Sequence, residues 1–334
     1  IIKDKLSNYY SKKNLFNDLV KIQIKDSIEE EELKSTIKSD EISDKTSKEV
    51  RGQYEENPYP RWRYADIHPK VNFLNEINSD IYPNQITFND EIKIPKILIA
   101  GCGTGQHSIE TASTFSDCQV TAVDLSLASL AYAKRKTIEL GITNLKYLQA
   151  DILNLNKLNQ KFDIIESVGV LHHMDEPMSG WRVLTDLLKP SGLMRIGLYS
   201  ELARLQIAEA RKEILLQKLG TSESEIKKFR QSLIDSKDEN RQLLTKSSDF
   251  FSLSMMRDLI FHVQEHRFTL PKVKNCLEEL GLKFCGFENK DFISNFKELH
   301  RNENDIYDLD LWHQYEVRNP RTFSGMYQFW CQKS

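Results

Sequence analysis

The sequence KILIAGCGTG, residues 96–105, places a short apolar run directly before a glycine-rich turn. The run has the length and β-branched content of a buried strand, and the QHSIETAS that follows has the pattern of a helix. A glycine-rich turn between a strand and a helix lets a ligand approach the backbone, beside the free N–H groups of the helix N-terminus. This stretch therefore predicts the first strand, turn and helix of a ligand-binding α/β domain.

Between residues 96 and 200, apolar runs of strand length alternate with helical stretches. The predicted strands are KILIAGC, QVTAVDL, LKYLQAD, FDIIESVGV and LMRIGLYS. Such alternation is typical of parallel strands joined by right-handed crossovers. We therefore predict a doubly wound α/β sheet, completed near the C-terminus by two more strands, LKFCGFE and TFSGMYQFWCQK.

Four segments surround this core. Residues 1–50 are dense in charge and are predicted to form an N-terminal arm, either a solvated helix or a loosely held segment. Residues 51–95 are rich in aromatic residues and arginine, and we predict that they form a lid over the ligand, or alternatively a tail attached by its rings. Residues 201–270 form a helical insert after the fifth strand, and residues 271–334 contain the closing helix and last two strands.

The composition excludes several classes of partner. The chain has 334 residues and a formal net charge of −3, so no basic excess favours nucleic acid. No apolar run approaches the roughly 18 residues of a membrane helix. The five cysteines are scattered without a C-x-x-C pair, which favours a reducing, cytoplasmic location. Composition leaves the oligomeric state open.

Two acids follow the next two predicted strands. Asp124 closes the second strand, 23 residues after Gly101 (124 − 101), where a carboxylate accepts hydrogen bonds from the ribose hydroxyls of an adenosine ligand. Asp151 ends the third strand, in a position to receive an exocyclic amine. The carboxyl ends of neighbouring strands are where open α/β sheets bind ligands, so we expect the loop and both acids to meet.

The motifs ILIAGCGTG, AVDLS, LQADI, FDIIESVGVLHHMDEP and LLKPSGLMRIGLYS resemble, in order, those of the class I S-adenosylmethionine-dependent methyltransferases. The resemblance implies a seven-stranded Rossmann-like sheet, with S-adenosyl-L-methionine as cofactor and S-adenosyl-L-homocysteine as product. A looser resemblance links QYEENPYPRW to bacterial proteins of unknown substrate in which this segment precedes such a domain. The main alternative, a nicotinamide enzyme, needs glycine or alanine at position 106, which is Gln106.

Carried over residue by residue, the resemblance implies a cofactor site. The glycine loop lies under the methionine part, Asp124 holds the ribose, and Asp151 meets the adenine. One departure is Ile99, where the family commonly has an acid, so another group must contact the amino group of the cofactor. The implied cofactor-binding residues are Gly101, Cys102, Gly103, Thr104, Gly105, Asp124, Leu125, Asp151, Ile152 and Ser167.

The sequence FHVQEHRF, residues 261–268, contains the H-x-x-E-H spacing of one group of zinc peptidases. A zinc site needs His262 and His266 on one helix face, whereas we expect the helix to end around His262–Glu265. We therefore predict no metal. An acceptor pocket is one interpretation of this motif, and ordinary packing of Phe261 and Phe268 with capped polar groups is an equal alternative.

Methyl transfer is an in-line displacement that requires alignment and exclusion of water, and a general base only if the acceptor must lose a proton. The catalytic candidates are His173, His262, Glu265 and His266, and the substrate candidates are Tyr54, Tyr59, Arg61 and Arg257. His172 is a further candidate base, although for both His172 and His173 packing at a strand end is the alternative. A second hypothesis, an acceptor that carries a carboxylate or another anion, depends on convergence of Arg61, Arg63, Arg257 and Arg267.

The predicted function is methyl transfer to a small-molecule acceptor. The alternatives are a methyltransferase acting on a protein and a cofactor-binding module without catalysis. A deep pocket built by residues 201–270 would favour the small molecule, whereas a flat groove would favour a protein.

Overall fold

The computed structural model describes residues 14–65, 69–86, 92–115, 117–288 and 290–334, and in these ranges the chain forms an eight-stranded sheet. The strand order is β1-β4-β3-β2-β5-β6-β8-β7, parallel except for the antiparallel pairs β6–β8 and β7–β8. The predicted doubly wound α/β sheet is therefore confirmed. The strands are β1 (Lys38–Ser39), β2 (Lys96–Ala100), β3 (Gln119–Asp124), β4 (Leu145–Gln149), β5 (Phe162–Val168), β6 (Leu188–Leu198), β7 (Leu282–Phe287) and β8 (Tyr327–Lys333).

The sheet has one strand more than the resemblance implied, because the N-terminal arm adds β1 to its edge. Lys38 and Ser39 pair with Leu148 and Gln149 of β4, and the Ser39 hydroxyl donates to the Gln149 side chain. A strand of two residues is too short to show an alternating pattern. The charge-dense arm is thus partly docked on the sheet.

Helices cover both faces of the sheet and form the insert. None of those in the described ranges is long and apolar enough to cross a membrane. Before the core lie α1 (Asn14–Val20), a π-helical turn (Lys21–Lys25), α2 (Asp26–Lys34), α3 (Lys45–Glu56) and α4 (Phe73–Asp80). The core contains α5 (Gln106–Thr114), α6 (Leu127–Glu139) and α7 (Pro177–Leu187). The insert contains α8 (Leu205–Leu216), α9 (Glu223–Ile234), α10 (Glu239–Leu244) and α11 (Leu253–Ile260), and α12 (Leu270–Leu280), α13 (Lys290–Leu299) and α14 (Leu309–Arg318) follow.

The core lies on both faces of the sheet, as β2 shows most directly. Ile97 and Ile99 belong to the apolar cluster of one face, and Leu98 and Ala100 to that of the other. A strand buried on both sides reads as a continuous apolar run, which is why KILIA was recognisable in the sequence. The insert has a smaller apolar cluster of its own, from which α11 leads into the HVQEH segment.

Candidate active site

A cavity of about 550 Å³ lies beside the glycine loop and the ends of β3 and β4. Its lining residues include two groups, which form two walls. The strand-end wall consists of Gly101, Cys102, Gly103, Thr104, Asp124, Leu125, Asp151 and Ile152. The tyrosine wall consists of Tyr54, Tyr59, His173, Tyr199 and Asp258.

The glycine loop is fixed by its neighbours in a shape that other residues would not adopt. The N–H groups of Gly101 and Cys102 both donate to the carbonyl of Val123, at 2.8 and 2.9 Å. Gly101 has φ +83°, and a Cβ there would lie 2.3 Å from the Val170 side chain. Gly103 has φ +52°, and its Cβ would lie 3.0 Å from the carbonyl oxygen of Tyr59. The loop therefore presents bare backbone to the cavity.

Asp124 is held at the end of β3 by backbone groups on either side of it. Its Oδ2 accepts a hydrogen bond from the Gly103 N–H at 2.8 Å, and its Oδ1 accepts one from the Ser126 N–H at 2.9 Å. Burial raises the pKa of this carboxyl, and the backbone donors oppose that rise. Each oxygen retains an acceptor position, so the carboxylate can bind the two hydroxyls of a ribose.

Asp151 offers an unused acceptor. Its Oδ1 accepts a hydrogen bond from the Leu153 N–H at 3.0 Å, whereas its buried Oδ2 has no partner among the described residues. A buried acceptor without a partner is costly, so a ligand donor such as an exocyclic amine fits this position. Every predicted cofactor residue lines the cavity except Gly105, which precedes α5, and Ser167, which is buried in β5.

Residues 53–62, here the aromatic segment, lie against the glycine loop. The Thr104 hydroxyl donates to the Pro60 carbonyl, and the Trp62 indole N–H donates to the Thr104 carbonyl at 3.1 Å. The Glu55 carboxylate accepts from the first N–H groups of α6, including that of Leu127 at 2.7 Å. These contacts place Tyr54 and Tyr59, two predicted substrate residues, in the cavity wall.

A hydrogen-bonded chain connects the aromatic segment to the insert. The Tyr54 hydroxyl donates to Asp258 Oδ1 at 2.7 Å and lies 3.1 Å from His262 Nε2. His262 Nδ1 accepts from the Gln264 N–H at 3.2 Å, so the ring proton is on Nε2 and is donated to Tyr54. Burial raises the pKa of Asp258 to about 6 and lowers that of His262 well below its usual range.

His173 lines the cavity and packs on the ring of His262, with ring centroids 3.6 Å apart. Its Nδ1 lies 2.6 Å from the Gln264 carbonyl and therefore carries the proton, which leaves Nε2 as an acceptor. Burial lowers the pKa of His173 to about 4, so its ring is neutral at physiological pH. His172, by contrast, is fully buried against Tyr199, and neither of its ring nitrogens has a hydrogen-bond partner among the described residues.

The HVQEH segment does not form a helical pair of ligands. Helix α11 ends at Ile260, earlier than the sequence predicted, and residues 261–267 form no helix. His262 contacts Tyr54, whereas the Nε2 atom of His266 lies 3.0 Å from the carbonyl of Asp175. Over the ranges that the structure describes, no group of three or more histidine, cysteine or acidic side chains could hold a metal ion.

Glu265, a predicted catalytic residue, is engaged away from the cavity. Its carboxylate is fully buried in an ion pair with Arg204 at 2.8 Å and lies 3.6 Å from Arg267. Neither Glu265 nor His266 belongs to the described lining of the cavity, whereas His173 does. The geometry therefore favours His173, with His262 behind it, and gives Glu265 the task of neutralising Arg204.

The predicted convergence of arginines is not found. The guanidinium groups of the four arginines predicted to converge all lie outside the described lining of the cavity, and each has a partner elsewhere. This removes the basis for an anion-binding acceptor site. The partners are Glu30 for Arg61 (3.5 Å), Glu56 for Arg257 (2.7 Å), Glu265 for Arg267 (3.6 Å) and the ring of Tyr64 for Arg63 (5.9 Å).

A buried ionic cluster occupies the region of the missing family acid. Ile99 pairs across the sheet with Glu166, whose carboxylate lies 2.6 Å from His107 Nε2 and 3.2 Å from Arg195. Burial alone would raise the pKa of Glu166, but His107 and Arg195 lower it to about 2. Arg195 also pairs with Glu288 at 2.6 Å, and both His107 and Arg195 line the cavity. The negative charge that the family commonly has at position 99 is thus found here on Glu166, on the adjacent strand β5.

The lining residues that sequence reasoning missed include Asp258, Tyr199 and Arg195. Asp258 lies in an apolar helix of the insert, among residues whose pattern indicates only packing, so no periodic signal marks it. Arg195 could have been found, since a charge inside the apolar run LMRIGL is unusual for a central strand.

Known proteins resemble the part of the chain that contains the strand-end wall. Residues 97–192 match the family model described as "Methyltransferase domain". The chain is 29% identical over 206 residues to an uncharacterized protein of Synechococcus sp., covering 59% of this chain and 49% of that protein. It is 30% identical over 141 residues to the ubiquinone biosynthesis O-methyltransferase of Haemophilus ducreyi, covering 40% of this chain and 58% of that protein.

Among solved structures, PKMT2 from Rickettsia typhi in complex with AdoHcy has a similar fold. The TM-score is 0.62 at 17% identity, over 83% of this chain and 55% of that one. The chain thus spans about half the length of this protein and of the Synechococcus relative. The match of residues 97–192 to a methyltransferase domain agrees with the class I S-adenosylmethionine-dependent methyltransferase family and the cofactor predicted from the sequence.

Proposed function

We propose that the protein is an enzyme that transfers the methyl group of S-adenosylmethionine to an acceptor bound at the tyrosine wall. The observation that carries this proposal is that both walls line the same cavity. One wall has the donors and acceptors that an adenosine ligand requires. The other contains hydroxyl, imidazole and carboxylate groups that the cofactor does not need.

The strand-end wall fits the cofactor on three points. Bare backbone at Gly101 and Gly103 permits close approach, Asp124 offers both oxygens to a ribose, and the unpartnered Oδ2 of Asp151 requires a donor. Arg195, fixed by Glu288 and Glu166, lines the cavity and can donate a hydrogen bond to the carboxylate of the cofactor. When bound, the cofactor supplies a methyl group already activated by its positive sulfur.

The tyrosine wall orients the acceptor and excludes water. Tyr54 and Tyr59 come from the aromatic segment, which lies against the glycine loop, so an acceptor between the walls is shielded from solvent. His173 presents a neutral acceptor nitrogen, and Asp258 a carboxylate fixed by Tyr54. These groups can align an acceptor and receive a proton from it.

We propose a small-molecule acceptor, since a cavity of about 550 Å³ lies within the range of small-ligand sites, roughly 300–1,000 Å³. Within residues 201–270, Asp258 is the lining residue that the insert provides in the described part of the chain. Helix α3 and the aromatic segment therefore contribute more of the wall than the insert does.

Binding calorimetry tests the proposed function. S-adenosylmethionine, S-adenosylhomocysteine and NAD would be titrated into the wild type, Asp124→Ala and a control, Asp186→Ala, whose side chain is exposed. We expect micromolar affinity for both sulfur ligands in the wild type and control, and loss in Asp124→Ala. Binding of NAD in their place would contradict the proposal. Cofactor binding without methyl transfer to any of a panel of small molecules and peptides would favour a non-catalytic module.

A further inference from the structure

Resting on the proposed function, we propose that the acceptor is an amine, bound as an ammonium group beside Asp258 and methylated on nitrogen. The proposal starts from a buried acid in the cavity wall, since Asp258 is 8% exposed. Its Oδ1 accepts one hydrogen bond, from Tyr54. Over the residues that the structure describes, its Oδ2 has no hydrogen-bond partner and no lysine or arginine forms an ion pair with it.

The nearby cations are engaged with other groups. Arg204 pairs with the buried carboxylate of Glu265 at 2.8 Å, and its guanidinium carbon lies 3.4 Å from the centroid of the Tyr199 ring. Arg257, on the same helix as Asp258, pairs with Glu56 at 2.7 Å. Neither arginine lines the cavity, so neither neutralises Asp258 from inside it.

Arg195 is the arginine that does line the cavity in the described part of the chain, and it serves the other wall. It is paired with Glu166 and Glu288, and it lies on β6, four residues before Tyr199, which directly follows the end of that strand. At about 3.3 Å per strand residue, roughly 13 Å separate the two backbone positions. The tyrosine wall therefore lacks a positive side chain of its own.

The histidine in this wall, His173, and the histidine behind it, His262, are both neutral. His173 donates from Nδ1 to the Gln264 carbonyl, and His262 accepts at Nδ1 from the Gln264 N–H, so each ring has one proton. Burial lowers the pKa of both rings. The formal charge of the wall is therefore the single negative charge of Asp258.

A buried carboxylate without a cation costs several kcal/mol, and an ammonium ligand would offset that cost. It would donate charge-assisted hydrogen bonds to Asp258 and contact the faces of Tyr54, Tyr59 or Tyr199. An anionic acceptor would be repelled here. A neutral hydroxyl would leave the negative charge without a partner, which is why the amine fits better.

The chemical step follows from this arrangement. The ammonium group gives one proton to the Asp258 carboxylate and becomes a neutral amine. The nitrogen lone pair then forms a bond to the methyl carbon, while the methyl–sulfur bond breaks and its electron pair stays on sulfur. The methylated amine carries the positive charge that sulfur had, and the proton on Asp258 passes to water after release. An acid whose pKa is raised by burial to about 6 is suited to this exchange near neutral pH.

The test uses calorimetry on the S-adenosylhomocysteine complex, which binds acceptors without turnover. The probes are 2-phenylethylamine, its hydroxyl counterpart 2-phenylethanol, and two peptide-like compounds, Nα-acetyl-lysine amide and Nα-acetyl-norleucine amide. We expect an amine to bind at least ten-fold more tightly than its uncharged counterpart, and Asp258→Asn to reduce that binding at least ten-fold. Preference for phenylethylamine would indicate a free amine as the source, and preference for the lysine compound would indicate a peptide side chain.

The outcomes separate the two proposals. If S-adenosylhomocysteine does not bind the wild type, the proposed function fails. If it binds but no amine is preferred to its uncharged counterpart, or Asp258→Asn leaves amine binding unchanged, the amine proposal alone is overturned. Retention of S-adenosylhomocysteine affinity within two-fold in Asp258→Asn serves as the check that this isosteric variant is folded.

Discussion

The two walls of the cavity are built in different ways. The strand-end wall comes from consecutive loops at the ends of parallel strands, and its polar groups are fixed by backbone, as Asp124 is by the N–H groups of Gly103 and Ser126. The tyrosine wall is assembled from the aromatic segment, the end of β6, a short 3₁₀ turn and the insert. Its side chains are fixed mainly by one another. We therefore expect the first wall to determine cofactor binding and the second to determine the acceptor.

The largest expected effect is a loss of cofactor affinity when the strand-end wall alone is changed. Asp124→Ala removes the carboxylate for the ribose and the acceptor that fixes the Gly103 N–H, so we expect S-adenosylhomocysteine affinity to fall at least 100-fold, about 2.7 kcal/mol. Calorimetry measures this. The exposed Asp186→Ala should bind as the wild type does, and an equal loss in both variants would mean that the effect is not local.

The next expected effect is on the pH dependence of folding stability, and it arises from Asp258. Burial raises the pKa of Asp258 from 3.8 to about 6, so the folded protein holds this proton more tightly than the unfolded chain does. Its contribution to stability is therefore lost as pH rises from about 4 to about 6 and stays lost above that range. Asp258→Asn removes this titration, so at pH 7.5 the variant should be more stable by up to about 3 kcal/mol, with little difference at pH 4.

Thermal unfolding at the two pH values measures that difference. Asp186→Asn, at an exposed position, is the matched control and should show no pH-dependent change. A variant at Asp258 that is less stable at pH 7.5 than the wild type would show that the carboxylate stabilises the wall, contrary to the role given to it here.

Most of the strand-end wall could be predicted from the sequence because its determinants are local. A continuous apolar run, a glycine turn and an acid at a strand end occur within a few residues of one another, as in KILIAGCGTG and TAVDLS. The tyrosine wall depends on contacts between distant positions, such as Tyr54 with Asp258, 204 residues apart. Tyr54, Tyr59 and His173 were predicted from composition and family position, whereas Asp258 follows from no local pattern.

Contacts between distant positions also explain why the sequence did not predict β1 or the partners of the arginines. The extra strand β1 is two residues long and is determined by its pairing with β4 rather than by its own sequence. The arginines were predicted to converge because they are near one another in sequence or in the insert, but carboxylates on α2 and α3 pair with Arg61 and Arg257 instead. Charge clustering in a sequence does not specify which partner each charge finds.

A smaller loss of cofactor affinity is expected when a methyl group is added to the glycine loop. Gly103→Ala puts a methyl group 3.0 Å from the Tyr59 carbonyl at a positive φ, so we expect cofactor affinity to fall about ten-fold, corresponding to about 1.4 kcal/mol. Gly52→Ala is the control, since it lies on the exposed side of α3 with nothing within 4 Å of its Cβ. It should keep its affinity and gain up to about 1 kcal/mol of stability. Equal affinities in the two variants would mean that the loop and the aromatic segment do not need to be in contact.

The smallest effect is expected at Tyr54→Phe, which keeps the ring but removes the hydroxyl between Asp258 and His262. One hydrogen bond to a charged group contributes about 1.5–3 kcal/mol, and water in the cavity replaces part of it. We expect turnover to fall by less than ten-fold while S-adenosylhomocysteine affinity stays within two-fold. A loss of cofactor affinity larger than the loss of turnover would show that Tyr54 contributes to cofactor binding rather than to the acceptor site.

A crystal structure of the protein with S-adenosylhomocysteine tests the division of the cavity most directly. The account predicts the ribose hydroxyls on Asp124, the adenine amine at Asp151, and the sulfur facing the space between Tyr54, His173 and Asp258. A ligand bound with its ribose away from Asp124, or with its sulfur separated from Asp258 by other side chains, would contradict it.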